Sequence, residues 1–210
     1  MTVAADFLLG LALVAALIDW WGVARHRVSV EFIAKPLVDI ALIGTALAID
    51  TPQDVTRGLI VAALGAALVG DVVLSTPDAR FEAGILATVV SHVLFAASLV
   101  EEVELATAVV AVLLYVGIGI GAAPQIIDGA RRQHPAIGVL VAGALFTAGL
   151  LGIFAAGTGV LVAAIGGGFF FASTALVTWN RFVAPAPGGN ALVHATDHLG
   201  QVGLVLWLAT

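Results

Sequence analysis

The chain has 210 residues, of which 61% are hydrophobic and 10% are charged, and its mean hydropathy is +1.13. Soluble globular proteins carry about 25% charged residues, so this composition excludes an ordinary soluble domain and predicts an integral membrane protein. The net charge of −6 gives no basis for a nucleic-acid partner, and the lack of cysteine excludes disulfides and thiolate metal sites.

The apolar runs have the lengths of membrane-spanning helices. A run of about 17 to 25 apolar residues can cross the hydrocarbon core as a helix. Because these runs are continuously apolar rather than alternating, we expect an all-α polytopic bundle with about eight transmembrane helices in a single integral membrane domain, residues 1–210. In chain order, the predicted spans are 7–23, 32–49, 59–74, 83–100, 105–122, 137–155, 160–179 and 191–208.

Basic residues are distributed unevenly between the two ends of these spans. Only Arg57 lies at an even-numbered connection. The other basic residues flank odd-numbered connections, and they are Arg25, Arg27, Lys35, Arg80, Arg131, Arg132 and Arg181. The positive-inside rule then predicts a multi-pass protein of the cell membrane whose odd-numbered connections are cytoplasmic and whose termini are external.

Polar residues inside the predicted spans gather toward the cytoplasmic ends. They are Lys35 and Asp39 in the second span, Asp71 in the third, Ser173 and Thr174 in the seventh, and His194, Asp197, His198 and Gln201 in the eighth. At 1.5 Å per residue, Asp71 lies about 5 Å inside the membrane edge, whereas His92 of the fourth span approaches the midplane. Ionisable residues in lipid are costly and usually functional, so this pattern predicts a polar pocket with an apolar interior behind it.

Each of these residues also has a purely structural interpretation. Lys35 can snorkel to the membrane surface from its place at a helix start. Asp39 can pair with Lys35 at i+4, which is the role we expect for it. His92 can bond to a neighbouring helix, and Asp71 can pair with Arg80, although its position inside an apolar run argues against that pairing.

Three other features of the spans suggest packing rather than chemistry. Asp19 precedes two tryptophans at the end of the first span, which is typical of an interfacial belt and gives it no site role. His194 and His198 share a helix face, but a lone His-x-x-x-His without an obvious third ligand is weak evidence for zinc, so no metal is expected. The run Gly166–Gly168 favours close helix packing.

Several short motifs resemble those of one membrane-protein family. These motifs are "AKPL" (34–37), "GDVVL" (70–74), "RFEAGILATVVSHVLF" (80–95), "WNRF" (179–182) and "HLGQ" (198–201). In them the chain resembles the YhhN family, the lysoplasmalogenase-like membrane proteins, from about residue 34 to 205. The resemblance implies a polytopic protein of about eight helices that hydrolyses the vinyl ether bond of lysoplasmalogens, releasing a fatty aldehyde and a glycerophospho-alcohol.

The chain departs from the family pattern at two positions. Where the family usually has Ser-Asp in its penultimate helix, this chain has Ser173 and Thr174. Where the family usually has tyrosine four residues before Gln201, this chain has Asp197. The family's second acid is therefore absent from its usual place, and Asp197 is a candidate replacement for it on the adjacent span.

The implied reaction needs a proton donor and a second acid. Protonation of the β-carbon gives an oxocarbenium ion, water adds to it and the hemiacetal collapses. Burial favours the protonated form of a carboxyl group, which suits Asp71 as the donor. We expect catalytic roles for Asp71 and Asp197, and binding of a lysophospholipid-like substrate, without a cofactor, by Lys35 (through phosphate), His92, Ser173, Thr174 and Gln201.

Three alternatives remain open at this point. A small-molecule transporter would also place an acid inside a span, although here the polar residues stop near the midplane. A zinc-dependent membrane hydrolase would use His194, His198 and His92, with Asp71 as a further ligand. An inactive or divergent family member would keep only a lipid-binding pocket, and the departure at Thr174 supports this interpretation.

Overall fold

Eight α-helices follow one another in the computed structural model, which describes residues 1–75 and 80–210. They are α1 (Val3–Ala24), α2 (Val28–Ala48), α3 (Asp54–Ser75), α4 (Phe81–Leu99), α5 (Leu105–Gln133), α6 (Pro135–Gly157), α7 (Leu161–Phe182) and α8 (Gly189–Trp207). A short 3₁₀ turn, Val100–Glu102, follows α4, and the described residues contain no strand. The predicted all-α class is confirmed, and each predicted span overlaps one helix.

Six of these helices are long and apolar enough to cross a membrane, namely α1, α3, α4, α5, α6 and α7. The other two, α2 and α8, contain most of the polar residues discussed above. Helix α2 contains Glu31, Lys35 and Asp39, and the last two are buried within the helix bundle. The same residues that mark a candidate site therefore lower the apolar character of these helices.

Helix α5 is longer than the sequence suggests. It continues beyond the predicted end at residue 122 and passes through Pro124 to Gln133. Its final turns are held by packing, because Ile126 and Ala130 are fully buried against a cluster that includes Phe182. Arg131 and Arg132 thus lie in the last helical turn, where positive charge is favourable, and not in a loop.

The helix contacts close a ring. Each helix of the ring contacts the next in the order α1, α2, α3, α4, α6, α7 and α8, and α8 in turn contacts α1. Helix α5 lies outside this ring against α6 and α7, whereas α8 also reaches α2 and α3 across the interior. This closure brings the first, second, third and eighth helices together, which is the arrangement that forms the candidate site.

Glycines allow α7 and α8 to approach closely. A side chain at Gly203 would overlap the backbone of Gly166 and the carbonyl of Val162. Gly167 packs against Gly152 and Ala155 of α6 in the same way. The packing role predicted for the glycine run is therefore confirmed at Gly166 and Gly167.

Candidate functional site

A buried ion pair joins α2 to α3. The Lys35 Nζ lies 2.8 Å from Asp71 Oδ1, and the two side chains are 9% and 11% exposed. The predicted partnership of Lys35 with Asp39 is wrong, because packing of α3 on α2 places the Asp71 carboxylate against the ammonium group, and both Asp39 oxygens lack a hydrogen-bond partner. Lys35 therefore does not snorkel, and Asp71 is paired across helices rather than with Arg80.

Two further carboxyl groups lie within electrostatic range of the same ammonium group. Asp39 and Asp197 both interact electrostatically with Lys35, in addition to Asp71. The Gln201 side chain donates to Asp197 Oδ2 at 3.5 Å, the outer limit of a hydrogen bond, and lies beside Asp39. Three helices, α2, α3 and α8, thus bring together residues that are far apart in the sequence.

Ser173 lies at the edge of this group. Its hydroxyl donates to the Val193 carbonyl at 3.2 Å, which ties α7 to α8. It also lies beside the Asp197 carboxyl group. Ser173 is therefore placed to orient Asp197.

The charges in this cluster do not balance. If Asp39, Asp71 and Asp197 were all ionised, three carboxylates and one ammonium would leave a net charge of −2 in a largely buried space. Uncompensated charge is costly at low dielectric, so carboxyl groups in such a cluster share protons. The arrangement can hold a transferable proton among membrane helices.

Unsatisfied polar atoms concentrate in the same place. Buried polar groups are normally hydrogen-bonded, so an unpaired one marks a position where water or a ligand can bind. Among the described residues, the unpaired buried atoms of this region are Asp19 Oδ1, Asp39 Oδ1 and Oδ2, Asp71 Oδ2, Gln201 Oε1 and His198 Nε2. Most of them are acceptors.

A second buried cluster adjoins the first and links α1, α2 and α8. Asp19 is fully buried, and its Oδ2 lies 2.7 Å from His194 Nδ1. On its other side, His194 Nε2 lies 3.6 Å from Glu31 Oε1. The interfacial-belt interpretation of Asp19 is therefore wrong, because α8 packs on α1 and turns this carboxylate toward His194.

The same cluster includes His198. Trp20 donates its indole N–H to His198 Nδ1 at 3.1 Å, and Asp19 Oδ2 lies 4.0 Å from that nitrogen. Sequence reasoning missed Asp19, Trp20 and Glu31, although the shared face of His194 and His198 was a signal for a buried partner. No group of three potential metal ligands is arranged around an ion position in residues 1–75 and 80–210.

His92 and Thr174 form a separate polar contact. His92 is fully buried, with Nε2 3.3 Å from the Thr174 hydroxyl and Nδ1 3.3 Å from the Thr147 hydroxyl. Its ring also meets Phe170 edge-on, with centroids 5.7 Å apart. The two residues were predicted to bind substrate. In the structure they contact each other, and His92 also contacts Thr147 of α6, whereas Lys35 contacts Asp71.

Two hollows lie beside α1 and α2. One of about 570 Å³ is lined by His26, Glu31 and the start of α8, and Glu31 connects it to His194. The other, about 780 Å³, is an apolar groove between α1 and α2. Its lining consists mainly of apolar side chains from both helices, among them Ile18 and Ala34.

One comparison with known proteins gives a match. A family model described as the YhhN family matches residues 30–208, which covers α3 to α8 and nearly all of α2. No curated protein and no solved structure matches the chain. Helix α1, with Asp19 and Trp20, lies outside the matched range.

Proposed function

Because the chain belongs to the YhhN family, we propose that it is a membrane-embedded hydrolase of lysoplasmalogen-like lipids. It cleaves the vinyl ether bond of a single-chain lipid and releases a fatty aldehyde and a glycerophospho-alcohol. The observation that supports this proposal most directly is the buried Lys35–Asp71 pair with Asp39 and Asp197 around it. Such a cluster supplies both forms of a carboxyl group, the acid and the anion, next to hydrocarbon.

The reaction uses those two forms in sequence. A carboxylic acid transfers its proton to the β-carbon of the vinyl ether, and the electron pair of the double bond forms the new C–H bond. The resulting oxocarbenium ion is stabilised by a nearby carboxylate. Water then adds, a carboxylate accepts its proton, and the hemiacetal collapses to aldehyde and alcohol without net proton consumption.

The geometry suggests which acid has which role. Asp71 is paired with an ammonium group at 2.8 Å, so in this proposal it is the carboxylate that stabilises the cation. Asp197 has a weak contact with Gln201 at 3.5 Å and is the proposed proton donor. These roles are the reverse of those expected from the sequence, where the burial of Asp71 was visible and its pairing with Lys35 was not.

The proposal also gives Lys35 a role other than the phosphate binding that was expected from the sequence. With its ammonium group bonded to Asp71, it holds the carboxylate in place instead of receiving the phosphate. Ser173 and Gln201 orient Asp197, and the substrate's alkyl chain lies in the apolar groove between α1 and α2. His92 and Thr174 support the wall of the site through Phe170 rather than bind polar substrate atoms.

An aldehyde-release assay tests the reaction. Purified protein in detergent micelles is given a 1-alkenyl lysophospholipid, its saturated 1-alkyl analogue and a 1-acyl lysophospholipid. We expect aldehyde from the alkenyl lipid alone, because only a vinyl ether can be protonated at carbon. Release of fatty acid from the acyl lipid would indicate an esterase, and no product from any lipid would favour the inactive, lipid-binding alternative.

Two carboxamide variants test the acid pair. Asp197→Asn removes the proposed donor and Asp71→Asn removes the anion, and each should lower the rate by about 10²–10⁴-fold, the usual contribution of a general acid or base. Asp54→Asn is the matched control, since the Asp54 side chain is 82% exposed. Full activity in Asp197→Asn with loss in Asp71→Asn would return the donor role to Asp71.

A further inference from the structure

The two ring nitrogens of the buried His198 have different surroundings. It is 1% exposed and lies on α8 one turn after His194. One ring nitrogen, Nδ1, accepts the Trp20 indole hydrogen at 3.1 Å. The other, Nε2, is buried and has no hydrogen-bond partner among the described residues.

The Trp20 contact determines which nitrogen of His198 is protonated. An indole N–H can only donate, so His198 Nδ1 must accept and cannot have a hydrogen of its own. The ring is then neutral, with its proton on Nε2. Asp19 does not compete for Nδ1, because it is 4.0 Å away and its Oδ2 is bonded to His194 at 2.7 Å.

The Nε2–H group of His198, which has no partner among the described residues, lies on the side of the ring away from Trp20. His198 lies three residues before Gln201 on α8, which puts the two on the same face of the helix, and the Lys35 ammonium group acts electrostatically on the ring. The unpaired atoms there are otherwise carboxyl and amide oxygens, on Asp39, Asp71 and Gln201. His198 thus offers a neutral donor in a site that is otherwise rich in acceptors.

We propose that His198 binds an oxygen of the substrate's glycerol backbone through its Nε2–H, and that Trp20 is the positioning residue that fixes the required tautomer. This inference rests on the proposed function for the identity of the ligand. A glycerol oxygen is preferred to phosphate because three carboxyl groups and a single ammonium group disfavour a second anion at this position. Trp20 belongs to α1, which lies outside the range that the family model matches.

Nitrogen NMR of the protein without ligand tests the tautomer. The five histidines are labelled with ¹⁵N in micelles, and the His198 signals are assigned from their loss in His198→Gln. We expect an unprotonated Nδ1 and a protonated Nε2, and a mixture of tautomers in Trp20→Phe. An unchanged His194 signal in Trp20→Phe shows that the variant is folded. A protonated Nδ1 in the wild type would overturn the assignment.

Two saturated lipids test the ligand. 1-O-hexadecylglycerol and its phosphocholine ester both contain the glycerol oxygens but no vinyl group, so neither can be hydrolysed. Both should shift the His198 Nε2 signal and leave His134, an exposed cap of α6, unchanged. A shift with the phosphocholine lipid alone would make phosphate the acceptor and refute the glycerol assignment. No shift with either lipid would refute the binding role of His198.

Substitutions at His198 separate binding from structure. His198→Leu should weaken the binding of hexadecylglycerol about tenfold, the usual effect of losing one hydrogen bond to a buried group. His198→Gln places an amide N–H near the same position and should restore most of the affinity. Equal weakening in both variants would contradict the donor role. Intact lipid binding without aldehyde release would refute the proposed reaction while leaving this site in place.

Discussion

Replacing Lys35 with methionine keeps most of the side-chain volume and removes the ammonium group that faces three carboxyl groups. The pair with Asp71 is about 90% buried, so the change leaves negative charge without a partner at low dielectric. Removing one member of a buried ion pair typically costs about 3–5 kcal/mol. Asp71→Asn should cost less, because the Lys35 ammonium group then still interacts electrostatically with Asp39 and Asp197.

Reversible unfolding in mixed micelles, followed by circular dichroism during titration with sodium dodecyl sulfate, measures these costs as changes in the free energy of unfolding. The control is Arg57→Met, which removes a half-buried guanidinium group together with its pair with the exposed Asp54 and its bond to the Ile49 carbonyl, and should cost about 1–2 kcal/mol. The cost of Lys35→Met should also shrink at low pH, because protonation of the carboxyl groups then removes the uncompensated charge.

The double variant Lys35→Met, Asp71→Asn completes a double-mutant cycle. Because the two groups are in contact, its cost should be well below the sum of the single costs. The reasoning is refuted if Lys35→Met is no more destabilising than Arg57→Met, or if Asp71→Asn is the more harmful of the two single variants at neutral pH.

Three further predictions concern topology, packing and the second polar contact. A reporter fused after Thr210 should be external, because the basic residues flank the other side of the membrane, and a cytoplasmic signal would contradict this orientation. Gly203→Val should destabilise the α7–α8 contact by about 1–3 kcal/mol in the unfolding titration, whereas Gly58→Val, where no neighbour lies within 4 Å, should not. Thr174→Val should shift the ¹⁵N signal of His92 Nε2 and cost about 0.5–1.5 kcal/mol, and an unshifted signal would show that the contact contributes nothing.

The number and place of the helices follow from the sequence, because the length of an apolar run matches the thickness of the bilayer locally, without reference to the rest of the chain. The burial of Asp71 was predictable for the same reason, since it interrupts an apolar run. The extension of α5 to Gln133 was not, because its last turns are held by contacts with other helices rather than by lipid.

The partners inside the site depend on which helices are neighbours. A helical repeat shows that Lys35 and Asp39 share a face, but not that α3 brings Asp71 to 2.8 Å from the same ammonium group. Likewise, Asp19 followed by two tryptophans is compatible with a membrane interface until α8 closes the ring onto α1 and His194 meets the carboxylate. Apolar periodicity is satisfied equally well by lipid and by another helix, so only the tertiary packing decides which of these polar groups meet.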